Sequence, residues 1–153
     1  MEKMNELWGS TASCLSAESP KAAYFRQSKF AMFVHWGLYS QAGGQWNGKT
    51  YHGITEWLMC TANISAKDYA ELAKEFNPSE FNAADFVATA KAAGMKYIII
   101  TAKHHEGFAM FKSADPFNIY DATPFKRDPM AELAEECRKQ GLGILKIRMT
   151  LSE

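Results

Sequence analysis

Two short apolar segments, each ending in histidine, dominate the pattern of hydrophobic and polar positions along the chain. The first occupies residues 29–34 and ends at His35, and the second occupies residues 96–103 and ends at His104 and His105. Continuous hydrophobicity over such short runs is typical of parallel β-strands that are covered on both faces. The pattern therefore predicts two buried parallel strands whose carboxyl ends carry imidazole groups.

Helical periodicity follows the strands, with recognisable start and stop residues. Ser65 opens the first predicted helix in a capping-box-like sequence, Asn82 opens a second helix that Gly94 ends, and Asp128 opens a third that ends at Gly141. The predicted buried stripes are Tyr69, Leu72, Ala73 and Phe76; Phe86, Ala90 and Ala93; and Met130, Leu133, Ala134 and Cys137. A third strand is predicted to begin near residue 142.

This order of elements predicts an α/β fold built on a parallel sheet, because strands alternate with helices. A closed (β/α)8 barrel needs eight strand–helix units and typically ~250 residues. The chain has 153 residues and three predicted strands, so we expect an incomplete (β/α)8 (TIM-like) barrel of about the first three βα units. Residues 1–23 are expected to form an N-terminal arm and residues 24–153 the barrel portion. The connection 38–63 shows no obvious structure, which is typical of a functional or a disordered loop; its glycines spaced by aromatic residues, together with Glu56 and Trp57, favour a functional one.

Composition and charge narrow the classes of partner. Seventeen basic and seventeen acidic residues give a net charge of zero, and no basic patch is present, which argues against nucleic acid and membrane surfaces as partners. The three cysteines are widely spaced and match neither a disulfide framework nor a zinc motif. The chain shows no signal peptide and no apolar run long enough to span a membrane, so we expect it to be soluble. Its compartment and oligomeric state stay open.

The three histidines at the strand ends form a candidate site. Neighbouring strands lie ~4.8 Å apart, so His35 and at least one of His104 and His105 can reach a common ligand. Consecutive strand residues point to opposite faces, and both members of the pair can point inward only if the strand bends; Gly107 makes such a bend possible. A single histidine at a strand end is more often structural, whereas three at adjacent ends favour a site.

A metal site is the alternative interpretation of these histidines. Metal-binding pairs on one strand normally occupy positions i and i+2, whereas His104 and His105 are adjacent, and only Glu106 offers a nearby further ligand. We therefore expect no metal and no cofactor. Glu56 and Trp57, in the long connection, suit a sugar because a carboxylate binds hydroxyl groups while an indole packs on the apolar face. A surface ion pair beside a packed tryptophan is the simpler alternative.

Together these segments resemble the catalytic domain of the α-L-fucosidases of glycoside hydrolase family 29. The matching segments, in order, are residues 29–40, 56–57, 76–77, 81–83, 92–97, 101–108 and 126–128. The resemblance implies a retaining glycosidase that removes terminal α-L-fucose, with a fucosylated glycan or fucoside as substrate and a (β/α)8-like barrel as its fold. It also implies that the fucose pocket contains His35, Glu56, Trp57, His104 and His105.

The chain departs from the family pattern in its last residues. A retaining mechanism needs two carboxyl groups ~5–5.5 Å apart, and in the family both follow later strands, so no catalytic residue is expected within this chain. Residues 145–153 replace a buried apolar run with alternating charges. Three strands cannot close a barrel and leave open sheet edges, so we expect a fragment that folds poorly and has no appreciable hydrolase activity alone. A non-catalytic fucose-binding remnant and a metal-dependent barrel hydrolase are the alternatives.

Overall fold

The computed structural model describes residues 20–149, in which short helices and strands alternate along the chain. The strands are β1 (Ala31–Val34), β2 (Gln45–Trp46), β3 (Lys49–Thr50), β4 (Tyr97–Lys103) and β5 (Gly143–Arg148). The α-helices are α1 (Pro20–Gln27), α2 (Leu38–Ala42), α3 (Leu58–Thr61), α4 (Ala66–Ala70), α5 (Ala83–Ala92), α6 (Ile119–Ala122) and α7 (Pro129–Gln140). Single 3₁₀ turns, Thr55–Trp57 and Glu71–Lys74, precede α3 and follow α4.

A three-stranded parallel sheet in the order β1-β4-β5 organises the domain. Ala31 of β1 lies opposite Tyr97 of β4, and Tyr97 lies opposite Gly143 of β5. The predicted parallel α/β architecture is therefore confirmed, with each strand within two residues of its expected start. Because parallel strands end at the same edge, the residues that follow β1 and β4 come together there.

One face of the sheet is covered by helices and forms the main core. Ile98, Ile100 and Ala102 alternate along β4 and are 0–2% exposed, as expected for side chains that share one face of a strand. The helix residues buried with them include Val87, Ala90, Met130, Leu133 and Cys137. Burying each large aliphatic side chain contributes roughly 1.5–3 kcal/mol, so this layer stabilises the sheet edge that carries the histidines.

The opposite face of the sheet is less covered. The register places Phe33 of β1, Ile99 of β4 and Leu145 of β5 side by side on this face. Phe33 is 58% exposed, and the other two are half-buried. The helices of residues 20–149 therefore cover the two faces unequally.

The predicted helix starts are confirmed by their capping bonds. The backbone N–H groups of the first turns donate to the side chains of Ser65, Asn82 and Asp128, at 2.9–3.3 Å. The predicted buried stripe of α5 is wrong in one position, because Ala93 lies beyond the last residue of the helix and is exposed. Val87 occupies the buried position on this helix instead.

The connection 38–63 is not the unstructured loop that the sequence predicts. It contains α2, a hairpin of β2 and β3, a 3₁₀ turn and α3. Asn47 and Gly48 join the hairpin strands with φ angles of 48° and 73°, the combination that a two-residue hairpin turn requires. The elements are too short for helical or strand periodicity to reveal them.

Residues 1–19 of the predicted N-terminal arm, residues 1–23, lie outside the described residues. The last four positions of this arm, residues 20–23, belong to α1. The charged segment at the other end forms a strand as far as Arg148, with Lys146 and Arg148 exposed. No helix within residues 20–149 is long and apolar enough to cross a lipid bilayer.

Candidate active site

The chain bends sharply where β4 ends, and this bend brings the two adjacent histidines together. The register of β4 against β5 shifts between Thr101 and Lys103, a bulge of the kind that redirects side chains next to functional sites. Residues 104–107 then form a turn, closed by a hydrogen bond of 3.1 Å from the Gly107 N–H to the His104 carbonyl oxygen. Gly107 has a φ of 83°, so the bend expected at this glycine is present.

Four of the five predicted site residues, all except Glu56, form a contiguous cluster of rings at the carboxyl edge of the sheet. The imidazole of His104 lies 5.7 Å from that of His35 and 4.5 Å from that of His105, between ring centroids. The indole of Trp57 lies 4.4 Å from the His105 ring. Residues far apart in sequence thus meet at one place, because β1 and β4 are neighbours and the 3₁₀ turn of Trp57 packs against the end of β4.

A cavity of about 330 Å³ opens beside this cluster. Its lining residues are Glu56, Trp57, Met59, Cys60, Asn63, Ile64, His105 and Glu106. The lining combines two carboxyl groups and an imidazole with apolar side chains, and Trp57 remains 41% exposed. Small-ligand sites have this character: mostly apolar walls with a few convergent polar groups.

A larger groove, of about 590 Å³, lies between the start of α5 and α7. Its charged side chains are largely satisfied by each other, as in the ion pairs of Arg127 with Glu132 at 2.6 Å and of Lys139 with Glu136 at 2.8 Å. We therefore place the candidate site at the histidine cluster, where polar atoms lack such partners.

A buried hydrogen-bond network supports the cluster from below. The Thr101 hydroxyl oxygen accepts a hydrogen bond of 3.2 Å from the Trp36 N–H and shares one of 3.1 Å with the Tyr39 hydroxyl. The ring of Tyr39 lies edge-on to His104, 5.6 Å between centroids. Burial raises the pKa of the Tyr39 hydroxyl, so this group stays protonated. The network ties β1, α2 and β4 together directly beneath the imidazoles.

Glu106 is buried beneath the histidines. Its side chain is 2% exposed, and its Oε2 atom lies 3.7 Å from Nδ1 of His104. Burial raises the pKa of Glu106 to about 7, against the opposing charge of Lys103. Burial also lowers the pKa of His104, and the neighbouring His105 and His35 lower it further. The site therefore favours the neutral forms of both groups.

Three polar atoms in this region are buried without a hydrogen-bond partner: Nδ1 of His104, Nδ1 of His105 and Oε2 of Glu106. Buried polar groups are nearly always paired, so such a concentration is typical of a functional site. Lys103 pairs with Asp115, with 3.5 Å between Nζ and Oδ2. Within residues 20–149, no group of three histidine, cysteine, aspartate or glutamate side chains is arranged to hold a metal ion.

Sequence reasoning missed several residues of the site. It did not single out Tyr39 or the buried position of Glu106, although both stand next to the histidine segments. Met59 and Ile64 complete the apolar wall, and no local sequence signal marks them. The only sequence signal for Glu106 was its position, between the histidine pair and Gly107.

The fold and the site together define a parallel α/β protein with a small-ligand pocket at the carboxyl edge of its sheet. The sequence model of the family described as Alpha-L-fucosidase matches residues 3–151, and the chain belongs to this family. The tissue α-L-fucosidase of Rattus norvegicus is 34% identical over 133 residues, which cover 80% of this chain. The plasma α-L-fucosidase of Homo sapiens is 33% identical over 127 residues, which cover 77% of this chain.

Solved structures of α-L-fucosidases share the fold described here. The enzyme of Vibrio sp. strain EJY3 is 49% identical with a TM-score of 0.81, over 84% of this chain and 22% of that one. AlfC of Lactobacillus casei, in complex with its α-L-fucose product, is 45% identical with a TM-score of 0.80, over 84% of this chain and 40% of that one. The chain spans 27–29% of the length of the curated relatives it matches.

Proposed function

We propose that this chain provides the fucose-recognition part of an α-L-fucosidase that hydrolyses terminal α-L-fucose from glycans by a retaining mechanism. The proposed sugar-binding residues are His35, Glu56, Trp57, His104 and His105. The observation that carries the proposal is the ring cluster beside the cavity of about 330 Å³. Family membership and the fucose-bound relative support it.

The chemistry of the cluster suits a deoxy sugar. Fucose presents hydroxyl groups, which need hydrogen-bond donors and acceptors, and a methyl group, which needs an apolar surface. Imidazole nitrogens and the Glu56 carboxylate supply the former, while Trp57, Met59 and Ile64 supply the latter. The partly exposed indole is proposed to wall the opening of the pocket.

We propose that the nucleophile and the acid/base are not among the residues of this sequence. Retaining glycosidases need these two carboxyl groups ~5–5.5 Å apart on either side of the scissile bond. The resemblance assigns them to strand ends that follow later than the segments matched here. On this proposal the 153-residue chain binds fucose but does not turn over a fucoside.

We also infer that the sheet corresponds to about the first three βα units of a (β/α)8-like barrel, formed by residues 24–153. Two observations support this inference: the three strands are parallel, with β1 and β5 on either side of β4, and Phe33 on the less covered face is 58% exposed. A barrel interior would cover such a face with the side chains of further strands.

Binding and turnover of the purified chain test the proposed function. We expect calorimetry to detect saturable binding of L-fucose, no comparable binding of its mirror image D-fucose, and no release of 4-nitrophenol from an aryl α-L-fucoside. His105→Ala should weaken binding roughly tenfold, the effect of losing a hydrogen bond of about 1.4 kcal/mol. His52→Ala is the matched control, because His52 is an exposed histidine of the same connection as Trp57.

Each outcome has a distinct meaning. Equal binding of the two mirror images, or equal weakening by the two histidine variants, would contradict the proposed pocket. Measurable turnover of the aryl fucoside would contradict the proposed absence of the catalytic pair and leave the pocket assignment standing.

A further inference from the structure

Glu106 occupies a position for which the proposed function provides no role. It is a carboxyl group with a side chain 2% exposed, at the floor of a site whose sugar-binding groups are histidines. Burying a carboxyl group is costly unless it is paired or neutral, and its Oε2 has no hydrogen-bond partner. This carboxyl group therefore needs either a hydrogen-bond partner or a proton.

The nearest polar atom with the same deficit is Nδ1 of His104, 3.7 Å from Oε2 of Glu106. A displacement of less than 1 Å would bring the pair into hydrogen-bond distance. The adjacent positions of β1, α2 and β4 leave little room for either group to turn away: the His104 ring contacts Tyr39 and His35, and Glu106 Oε1 lies beside Gly37.

We propose that Glu106 is a positioning residue that sets the tautomer of His104. An ionised Glu106 accepts a hydrogen bond from Nδ1–H of His104, so that Nε2 is left as an acceptor. A protonated Glu106 keeps its proton and donates a hydrogen bond to Nδ1 instead, so that Nε2 carries the hydrogen of the neutral imidazole and becomes a donor. The carboxyl group thus decides whether His104 accepts from or donates to a sugar hydroxyl. The inference rests on the proposed function for the identity of the ligand, whereas its test needs no ligand.

The surroundings of Glu106 place the proposed change of tautomer near neutral pH. The titratable and charged groups that face the pair are His35 after β1, Tyr39 on α2, Glu56 before α3, Tyr69 on α4, and Lys103 and His105 on either side of His104. Burial dominates over the single nearby cation, so Glu106 becomes protonated in a range where surface carboxyl groups remain ionised. Burial keeps His104 neutral in the same range.

Nuclear magnetic resonance of the full chain without ligand tests the proposal. The ¹⁵N shifts of His104 report which nitrogen carries the hydrogen, and the side-chain ¹³C shift of Glu106 reports its ionisation. In the wild-type chain we expect His104 to carry its hydrogen on Nε2 below about pH 7 and on Nδ1 above it. The midpoint of this change should coincide with the midpoint of the Glu106 carbon signal. Glu106→Gln should give one tautomer from pH 6 to about pH 8.5, because the amide does not titrate.

The matched control is Glu75→Gln, which makes the same chemical change at an exposed glutamate and should leave the transition of His104 intact. The proposal is overturned if His104 in Glu106→Gln follows the wild-type shifts at every pH. If that variant fails to fold, the wild-type chain decides: a His104 tautomer that stays fixed while Glu106 titrates overturns it. Absence of fucose binding would overturn the proposed function alone, because the tautomer measurement uses no ligand.

Discussion

Gly37 is the position at which a single methyl group should disturb both the fold and the site. A Cβ atom at this position would lie 2.7 Å from Cε1 of Tyr39 and 3.2 Å from Oε1 of Glu106. The first distance is about 1 Å shorter than an optimal carbon–carbon contact. The backbone itself tolerates alanine, because the φ of −177° is ordinary extended geometry. Any loss of stability in Gly37→Ala therefore comes from the crowding alone.

The size of the effect follows from how firmly Tyr39 is held. Its side chain is 1% exposed and its hydroxyl is bonded to Thr101, so the ring has no free space to enter. Overpacking of this kind costs about 1–3 kcal/mol. Replacing glycine also restricts the unfolded chain, which offsets about 0.4–1 kcal/mol of that cost. We expect Gly37→Ala to lower the free energy of unfolding by about 1–2 kcal/mol.

Urea denaturation followed by fluorescence measures this change. With a slope of about 1–3 kcal/mol per molar urea, the midpoint should fall by about 0.5–1 M. The matched test repeats the substitution in a Tyr39→Leu background, where the ring is absent and the cost should largely disappear, as a double-mutant cycle reveals. A neutral Gly37→Ala, or an equal cost in both backgrounds, would refute the reasoning.

Three further predictions concern the core, a helix cap and the buried carboxyl group. Leu133→Ala removes a side chain that is 0% exposed and should cost about 2–5 kcal/mol in urea unfolding; a loss below 1 kcal/mol would contradict the described core. Asp128→Ala removes the acceptor for the N–H groups of Ala131 and Lys112, at 2.9 and 3.0 Å, and should cost about 1–2 kcal/mol by the same assay. Burial raises the pKa of Glu106 from 4.5 to about 7, so its contribution to stability is present below pH 4.5 and is lost as the pH rises through about 7. Between pH 5 and about pH 8 the free energy of unfolding should therefore fall by up to about 3 kcal/mol less in Glu106→Gln than in the wild-type chain. The same pH profile in both proteins would contradict this prediction.

The fold was predictable where the signals are local. Asn82 and Asp128 begin helices because their short polar side chains accept hydrogen bonds from the first turn, which is a property of two or three neighbouring residues. The same local reasoning failed at Ala93, because periodicity does not reveal that α5 ends one residue earlier. It also failed over positions 38–63, where the Asn47-Gly48 turn was the only strong signal of a hairpin.

The site was predictable to the extent that strand ends specify it. Parallel pairing of β1 with β4 brings His35 to the histidine pair, and a glycine after the pair indicates the turn. The burial of Glu106 was not predictable in this way, because it depends on α2 and the 3₁₀ turn of Trp57 closing over the end of β4. Whether a glutamate is a surface residue or a buried acid is decided by these tertiary contacts, which sequence patterns do not encode.

The pairing of β1 with β4 has a consequence for how the domain assembles. Trp36 and Thr101, which are joined by a hydrogen bond beside this pairing, lie 65 positions apart in sequence, whereas α5 leads almost directly into β4. Closing a long loop carries an entropic cost before any contact compensates for it, and such non-local pairings slow folding. We therefore expect α5, β4, α7 and β5 to assemble first and β1 to join last. His35 then reaches the other histidines only in the final step, and mild denaturant should separate it from them while the helices of the core remain intact.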